Sequence, residues 1–343
     1  MSAGAEERVL DVQGLSVDLD LPAGTLHAVT DVDFHVNRGE TLCIVGESGC
    51  GKTMSALAVM GLLPRRARMT ARRLTLEGRD LLTMPARELS HLRGDRMGMI
   101  FQDPMTSLNP VYTIGNQMEE IYIRHGRGNR KEARDRARQL LEKVGITAAK
   151  DRLGQYPHQL SGGLRQRVMI AMTLMCDPIL IIADEPTTAL DVTIQAQILR
   201  ILADLQEEYR MALILITHDL GVVARMADRV NVMYAGQVVE TGSAEQVFTA
   251  PTHPYTQGLL DCIPIPGKTQ RGAQLGSIPG IVPSLMSDIE GCQFRNRCDY
   301  AFAACGAAPI ELHQLGPGRA CRCLLDQSES LANLKLKSAG VAV

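Results

Sequence analysis

The chain has 343 residues, of which 45% are apolar and 22% are charged, as in a globular protein with a sizeable core. Its 36 Lys and Arg residues nearly balance 38 Asp and Glu residues, so the charge pattern gives no reason to expect a nucleic-acid partner. The apolar runs are shorter than the roughly 20 residues of a spanning helix, and the acidic start, MSAGAEERVL, lacks the apolar segment of a signal peptide. We therefore expect a cytosolic protein with one main domain and an appendage.

The N-terminal part predicts strands followed by a glycine loop and a helix. From about Val9 to Val36 apolar and polar residues alternate, which is typical of half-buried strands in an antiparallel region. Thr41–Val45 is a compact apolar run, and Met54–Leu63 has helical spacing up to Pro64.

The middle of the chain predicts a helical stretch and then a parallel sheet. Residues 109–159 have mainly helical patterns, with a surface helix over Lys131–Val144. Two buried strands, Ile179–Ala183 and Ala212–Thr217, flank a helical segment over Ile194–Tyr209. This alternation favours parallel strands joined by crossover helices. Residues 251–285 are rich in Pro and Gly and read as a connecting segment, followed by a cysteine-rich region over 286–343.

The glycine loop fits the pattern Gly-x4-Gly-Lys-[Ser/Thr] between a strand and a helix. Such a loop turns its N–H groups toward phosphate oxygens. We expect Lys52 to neutralise the β- and γ-phosphates of ATP and the Thr53 hydroxyl to hold Mg²⁺; a simple tight turn is the alternative. The expected ATP-binding residues are Gly46, Glu47, Ser48, Gly49, Cys50, Gly51, Lys52 and Thr53.

Two carboxylates, Asp184 and Glu185, follow the buried strand Ile179–Ala183. Ligands of open α/β sheets bind at the carboxyl ends of the strands. We expect Asp184 to hold magnesium and Glu185 to polarise an attacking water. The alternative is a solvated strand end.

The run Leu160-Ser161-Gly162-Gly163-Leu164 resembles the signature of ABC-type ATPases. The resemblance implies an ABC-type P-loop ATPase domain over residues 1–250, of the α/β class, with a parallel sheet core, an antiparallel β-subdomain and a helical subdomain at about 109–159. It also implies a head-to-tail dimer, in which Ser161, Gly162 and Gly163 cap the γ-phosphate bound by the partner's loop.

Three further segments resemble family elements in the same order along the chain. Gln102 matches the Q-loop glutamine, which implies a catalytic role and a contact with Mg²⁺. Ala189-Leu190-Asp191 matches the D-loop, and His218 matches the catalytic switch histidine.

Two positions depart from the family pattern. The signature ends in Leu164, where the general family has Gln but the peptide-importer branch is commonly apolar. The aromatic residue that stacks on adenine in the family is replaced near its expected position by Leu19, so we expect weak base selectivity. The expected hydrolytic residues are all present: Lys52, Asp184, Glu185 and His218.

The C-terminal part resembles that of oligopeptide and dipeptide importer ATPases, in Pro251–Thr256 and Ile278–Pro283. Four cysteines resemble the four-cysteine element of such subunits, which implies a [4Fe-4S] cluster. Zn²⁺ is the alternative metal, although the cysteine spacing lacks the paired Cys-x2-Cys knuckles of a zinc ribbon. A second alternative is that these cysteines bind no metal and are packed as free thiols. The expected ligands are Cys292, Cys298, Cys305 and Cys323, with Cys321 competing for the fourth place.

These features predict an ATP-hydrolysing subunit of an ABC importer for di- or oligopeptides, on the cytoplasmic face of the cell inner membrane. The expected partners are a second ATPase subunit, two membrane-spanning permease subunits and, indirectly, an extracytoplasmic substrate-binding protein. A related but different ATPase subunit is favoured over a second copy of this chain, which is the alternative. We expect the permease to dock on the segment from Asp103 through Pro110 to Ile123. The alternatives are a non-transporter ABC-type ATPase of DNA repair or translation and an ATP-regulated metal-cluster sensor.

Overall fold

The computed structural model describes residues 7–103, 107–188, 190–263, 276–286 and 289–325. In chain order the strands are β1 (Arg8–Leu21), β2 (Gly24–Asn37), β3 (Thr41–Val45), β4 (Ala67–Thr70), β5 (Arg73–Leu76), β6 (Arg79–Asp80), β7 (Met97–Ile100), β8 (Leu180–Asp184), β9 (Ala212–Thr217), β10 (Arg229–Tyr234), β11 (Gln237–Ser243), β12 (His313–Gly316) and β13 (Arg319–Cys321).

Most of the helices connect strands of the main sheet along the chain. They are α1 (Lys52–Val59), α2 (Ala86–Leu92), α3 (Ile114–Arg124), α4 (Arg130–Lys143), α5 (Ala149–Arg152), α6 (Gly162–Thr173), α7 (Val192–Tyr209), α8 (Leu220–Met226), α9 (Ala244–Thr249) and α10 (Pro254–Asp261). None of the helices in the described part of the chain is both long and apolar enough to cross a lipid bilayer.

The N-terminal strands form an antiparallel sheet, as their alternating pattern predicts. β1 pairs with β2 along almost its whole length, and with β4 and β5 on its other edge. The strands β4–β6 are short and partly exposed. Their weak alternation explains why the sequence did not predict them.

The main sheet has the order β12-β13-β11-β10-β3-β9-β8-β7 among the described residues. Strands β10, β3, β9, β8 and β7 are parallel. Both faces of this parallel part are buried: Cys43 and Val45 of β3 face one apolar cluster, while Leu42 and Ile44 face the other. This explains the uninterrupted apolar runs that predict β3, β8 and β9.

The parallel register brings four loops to one edge of the sheet. Val45 lies beside Thr217, Asp184 beside Ile216, and Ile100 beside Ala183. The residues that follow β3, β7, β8 and β9 therefore lie next to one another.

The helical stretch between β7 and β8 contains α3, α4 and α5 and a 3-10 turn, Pro157–Gln159, and α6 follows it. A capping box of Asn129 and Glu132 starts α4, in agreement with the predicted surface helix. Helix α1 ends earlier than predicted, at Val59, because Gly61 adopts φ +61° and turns the chain before Pro64 is reached.

The C-terminal strands extend the main sheet. β13 pairs antiparallel with β11, and β12 pairs with β13. The cysteine-rich region is thus hydrogen-bonded to the sheet that carries the loops of the expected ATP site.

Candidate active site

The glycine loop after β3 has the backbone that its glycines permit. Gly46, Gly49 and Gly51 have φ values of +152°, +80° and +99°. A Cβ on Gly46 would lie 2.1 Å from the Met233 carbonyl oxygen, and one on Gly51 would lie 2.4 Å from that of Ala28. Glycine is therefore required at both positions for close backbone approach as well as for φ.

Lys52 is the first residue of α1, and its side chain folds back over the loop. It is 5% exposed, and Nζ donates to the carbonyl oxygens of Gly46 at 2.8 Å and Glu47 at 3.0 Å. Cys50 Sγ lies 3.7 Å from the same ammonium, and burial raises the pKa of this thiol. The loop thus presents a fixed positive charge at the start of a helix, an arrangement suited to an anion.

Thr53 and Asp184 lie together across the site. The Thr53 hydroxyl donates to Asp184 Oδ1 at 3.2 Å. Asp184 is 4% exposed, and burial raises its pKa, opposed by the hydrogen bond from Thr53. A buried carboxylate beside a hydroxyl supplies oxygen ligands of the kind that Mg²⁺ prefers.

Glu185 lies at the centre of a hydrogen-bonded cluster. Its Oε2 accepts from Gln102 Nε2 at 3.0 Å and Thr188 Oγ1 at 2.8 Å, and Oε1 lies 3.2 Å from His218 Nδ1. Burial would raise the pKa of Glu185, but the bonds from Thr188 and His218 outweigh it and lower the pKa. The carboxylate is therefore held ionised.

The backbone at Glu185 is unusual for a non-glycine residue. Its φ is +44°, and its N–H donates to the Ile216 carbonyl at 2.9 Å. Such backbone conformations cluster at functional sites, where the surrounding structure holds them. The turn after β8 directs the two neighbouring carboxylates to different partners: Asp184 bonds Thr53, whereas Glu185 bonds Gln102 and His218.

The signature serine caps α6. Ser161 Oγ accepts from the Leu164 N–H at 3.4 Å, so Gly162 and Gly163 are the first two residues of α6. A Cβ on Gly162 would meet Leu190, and one on Gly163 would lie 2.9 Å from Ile194. The signature therefore packs against the D-loop and the start of α7. Ala189 of the predicted D-loop lies outside the described residues.

Two residues that the sequence analysis missed touch the glycine loop from the C-terminal part of the chain. The Glu47 N–H donates to the Tyr255 hydroxyl at 2.9 Å, and Arg297 Nη1 donates to Glu47 Oε2 at 2.9 Å. They lie 208 and 250 residues beyond Glu47. No local pattern in the sequence marks such distant contacts.

The expected cluster ligands Cys292, Cys298, Cys305 and Cys323 line one small cavity. All nine cysteines are within the described residues and are free thiols. Burial raises the pKa of Cys298 to about 12, whereas a hydrogen bond with Cys321 lowers the pKa of Cys323. Cys321 does not line this cavity as the described residues define it; it lies in β13, opposite Glu240.

Among the described residues, no group of three or more His, Cys, Asp or Glu side chains is arranged to hold one metal ion. The four thiols therefore share the lining of one cavity, without forming a metal site in the described part of the chain.

Two family models match the chain: that of the ABC transporter over residues 29–188, and that of the oligopeptide/dipeptide transporter C-terminal region over residues 239–305. The dipeptide transport ATP-binding protein DppD of Escherichia coli (strain K12) is 50% identical over 315 residues, covering 92% of this chain and 96% of the relative. The oligopeptide transport ATP-binding protein OppD of Salmonella typhimurium is 47% identical over 323 residues, covering 94% and 95%.

A similar solved structure is the dimeric ATP-binding cassette MJ0796 in a post-hydrolysis state with ADP and Pi. It has a TM-score of 0.61 and 27% identity, and the match covers 68% of this chain and 98% of that one. The cassette fold agrees with the parallel core and antiparallel sheet described above. With high identity over almost its whole length to ATP-binding proteins of transporters, the chain belongs to the ABC transporter family.

Proposed function

We propose that this chain is the ATP-hydrolysing subunit of an ABC importer that takes up di- or oligopeptides. The observation that carries the proposal is the identity of 47–50% to dipeptide and oligopeptide transport ATP-binding proteins over more than 90% of the chain. This identity, with the match over residues 239–305, favours a peptide importer over a DNA-repair or translation ATPase and over a metal-cluster sensor.

The residues around the glycine loop have distinct roles in this proposal. The loop N–H groups and Lys52 bind the phosphates of ATP. Thr53, Asp184 and Gln102 hold Mg²⁺, which supplies charge neutralisation on the phosphate oxygens.

Hydrolysis needs a base and groups that orient it. Glu185, held ionised by its hydrogen bonds, accepts a proton from the attacking water. Gln102 and His218 fix the two oxygens of its carboxylate. Ser161, Gly162 and Gly163 cap the γ-phosphate bound by a partner ATPase subunit, because the start of α6 favours an anion. The partner is a second, related ATPase.

The permease is proposed to dock in a groove beside Gln102. The groove has a volume of about 460 Å³ and is lined by Leu62, Phe101, Leu108, Ile121 and others. It adjoins the segment 103–123 that the sequence predicts for this contact, of which residues 104–106 lie outside the described residues. Its mainly apolar lining, which also includes Glu120 and Arg124, fits an amphipathic helix of a permease, which would hold the chain at the cytoplasmic face of the membrane.

The docking proposal predicts a separation of transport from hydrolysis. Glu120 is exposed and lines the groove, so Glu120→Lys should abolish coupled uptake while basal ATPase activity persists. Loss of basal ATPase in this variant would refute the assignment.

We also propose that Cys292, Cys298, Cys305 and Cys323 hold a [4Fe-4S] cluster, with Zn²⁺ as the alternative. Their common cavity supports this ligand set; Cys321 does not line the cavity, although its thiol hydrogen-bonds that of Cys323. Iron, sulfide and zinc should be measured on anaerobically purified protein. About four irons and four sulfides per chain are expected, lost in Cys298→Ser and kept in Cys262→Ser, which alters a cysteine outside the cavity. Zinc near one per chain, or no metal, would exclude the cluster.

Peptide uptake tests the main proposal. In cells that carry the complete importer, Lys52→Ala should abolish uptake of a labelled dipeptide or tripeptide, while uptake of free amino acids continues. Lys150→Ala, which alters an exposed lysine of α5, is the matched control. Undiminished peptide uptake by Lys52→Ala cells would refute the function.

A further inference from the structure

Arg297 connects the cysteine-rich part of the chain to the glycine loop through a partly buried ion pair. Its side chain is 6% exposed and that of Glu47 is 26% exposed. The guanidinium donates to Glu47 Oε2 at 2.9 Å, to the Pro279 carbonyl at 2.9 Å and to the Ile278 carbonyl at 3.0 Å. A fourth bond goes to the Tyr234 hydroxyl at 3.4 Å. These four bonds fix the position of the guanidinium, so it presents a rigid donor to Glu47.

A cluster of aromatic side chains packs around Arg297 and makes a second contact with Glu47. Arg297 lies over the rings of Tyr234 and Phe294, 5.7 Å and 5.9 Å from their centroids. Phe294 packs edge-on against Tyr234 and tilted against Tyr255. The Tyr255 hydroxyl in turn accepts the Glu47 N–H. Glu47 is thus held at its backbone and at its carboxylate by residues outside the loop.

Two of the cavity cysteines flank the turn that carries Arg297. Cys292 and Cys298 bracket the 3-10 turn Arg295–Arg297, and the Cys292 N–H donates to the Cys305 carbonyl at 2.7 Å. Fixing these thiols in one site therefore fixes the backbone on both sides of Arg297.

Contacts from outside the loop can limit the conformations of its glycine-rich backbone. Glu47 stands next to Gly46, and glycine permits conformations that other residues do not. A loop with several glycines has more conformations to lose on binding phosphate, so contacts that hold it in the bound form increase affinity.

We propose that Arg297 is a positioning residue through which the cysteine-bearing C-terminal segment sets the conformation of the phosphate loop and hence its affinity for nucleotide. The inference rests on the proposed function, since it takes the loop to be the ATP site. Arg297 does not touch the nucleotide in this account; it acts only through Glu47.

A double-mutant cycle tests the coupling on the full chain. The variants are Arg297→Gln, Glu47→Gln and the double variant, and Arg297→Lys is the conservative replacement. Arg295→Gln is the matched control, because Arg295 lies two residues away and donates to the Glu290 carbonyl instead. The measurements are the ADP dissociation constant by calorimetry, KM and kcat for ATP, and thermal unfolding without nucleotide.

Each single variant should bind ADP about tenfold more weakly, the scale of one hydrogen bond to a charged group. The double variant should be no weaker than either single one, since one contact cannot be lost twice. In each single variant KM for ATP should rise, while kcat stays within about twofold of the wild-type value. Arg297→Lys should recover part of the ADP affinity, and Arg295→Gln should bind ADP as the wild type does. Cys298→Ser should weaken ADP binding in the same direction, and adding Arg297→Gln should not weaken it further.

Three results would overturn the proposal: unchanged ADP affinity in Glu47→Gln, an effect of Arg295→Gln equal to that of Arg297→Gln, or multiplying effects in the double variant. Glu47→Gln keeps the carbonyl contacts of Arg297, so it decides the question even if Arg297→Gln fails to fold. Failure of the wild-type chain to bind ADP at all would instead refute the proposed ATPase function.

Discussion

Replacing Glu185 with Gln should remove hydrolysis while leaving the site intact. In the structure one carboxylate oxygen accepts from Gln102 and Thr188, and the other faces His218. A carboxamide has the same shape, and its oxygen can accept the first two bonds while its NH₂ donates to a His218 Nδ1 without a proton. The substitution therefore removes the negative charge and the proton acceptor without removing the contacts.

The size of the effect follows from the role of the base. A positioned general base contributes about 10²- to 10⁴-fold to a rate, which corresponds to about 2.7–5.4 kcal/mol of activation free energy. The free energy of unfolding should change by less than about 1 kcal/mol, because the hydrogen bonds are conserved.

Phosphate release at saturating ATP measures this loss, and calorimetry with ADP measures binding separately. We expect kcat for Glu185→Gln to fall at least a hundredfold and the ADP dissociation constant to stay within about twofold. Thr188→Val is the control: it removes one donor to the carboxylate but keeps the charge, and kcat should fall less than tenfold.

A Glu185→Gln variant that keeps more than about a tenth of the wild-type kcat would contradict the assignment. The base would then have to be sought elsewhere, and the lowered pKa of Glu185 would reflect only its structural bonds. A hundredfold loss of ADP affinity would also contradict it, since it would show that the charge supports the loop and not the reaction.

Three further predictions concern the loop, a buried histidine and the signature. Gly51→Ala should weaken ADP binding and lower the free energy of unfolding by more than about 2 kcal/mol in a denaturation assay, because the new Cβ would meet the Ala28 carbonyl. Gly49 also has a positive φ, but a new Cβ there would meet nothing within 4 Å, so Gly49→Ala should lower the free energy of unfolding by only about 1 kcal/mol. Burial lowers the pKa of His253 from 6.5 to about 3. Between these pH values the unfolded chain binds a proton that the folded chain does not, so the free energy of unfolding falls as pH drops from about 6.5 toward 3. His253→Asn, which can still cap α10, should reduce the slope of the unfolding free energy against pH by about 1.4 kcal/mol per pH unit. Ser161→Ala should cost about 1 kcal/mol in unfolding through the lost cap of α6 and should weaken ATP-dependent association with a partner subunit in sedimentation; an unchanged association would contradict the capping role.

Much of the fold could be predicted because its local patterns are strong. The antiparallel region near the N-terminus, the buried strands β3 and β9, and the surface helix α4 are found close to their predicted bounds. The glycine loop could be predicted because its pattern fixes Gly46 and Gly51, two positions at which the backbone requires glycine. The sequence also predicted that Asp184 follows a buried strand; in the structure it is the last residue of β8, and its Oδ1 accepts from the Thr53 hydroxyl at 3.2 Å.

The remaining features of the fold and the site could not be predicted from the sequence, because they depend on contacts between distant segments of the chain. The strands β12 and β13 are short and join the sheet only because β11 offers its edge. The hydrogen bonds that meet on Glu185 come from residues up to 83 positions away. The ion pair of Glu47 and Arg297 spans 250 positions, and no local pattern indicates that these two residues meet.

The pairing of β13 with β11 means that the C-terminal region cannot be treated as a removable tag. Without it, β11 would become an edge strand with unpaired N–H and C=O groups, a surface on which other chains aggregate. Glu240 of β11 is fully buried and accepts from the N–H groups of Thr252 and His253, so a chain cut before residue 252 would also leave an uncompensated buried charge. Moving this cassette into a fusion protein, or trimming it to the length of shorter cassettes, therefore requires that its C-terminal strands go with it.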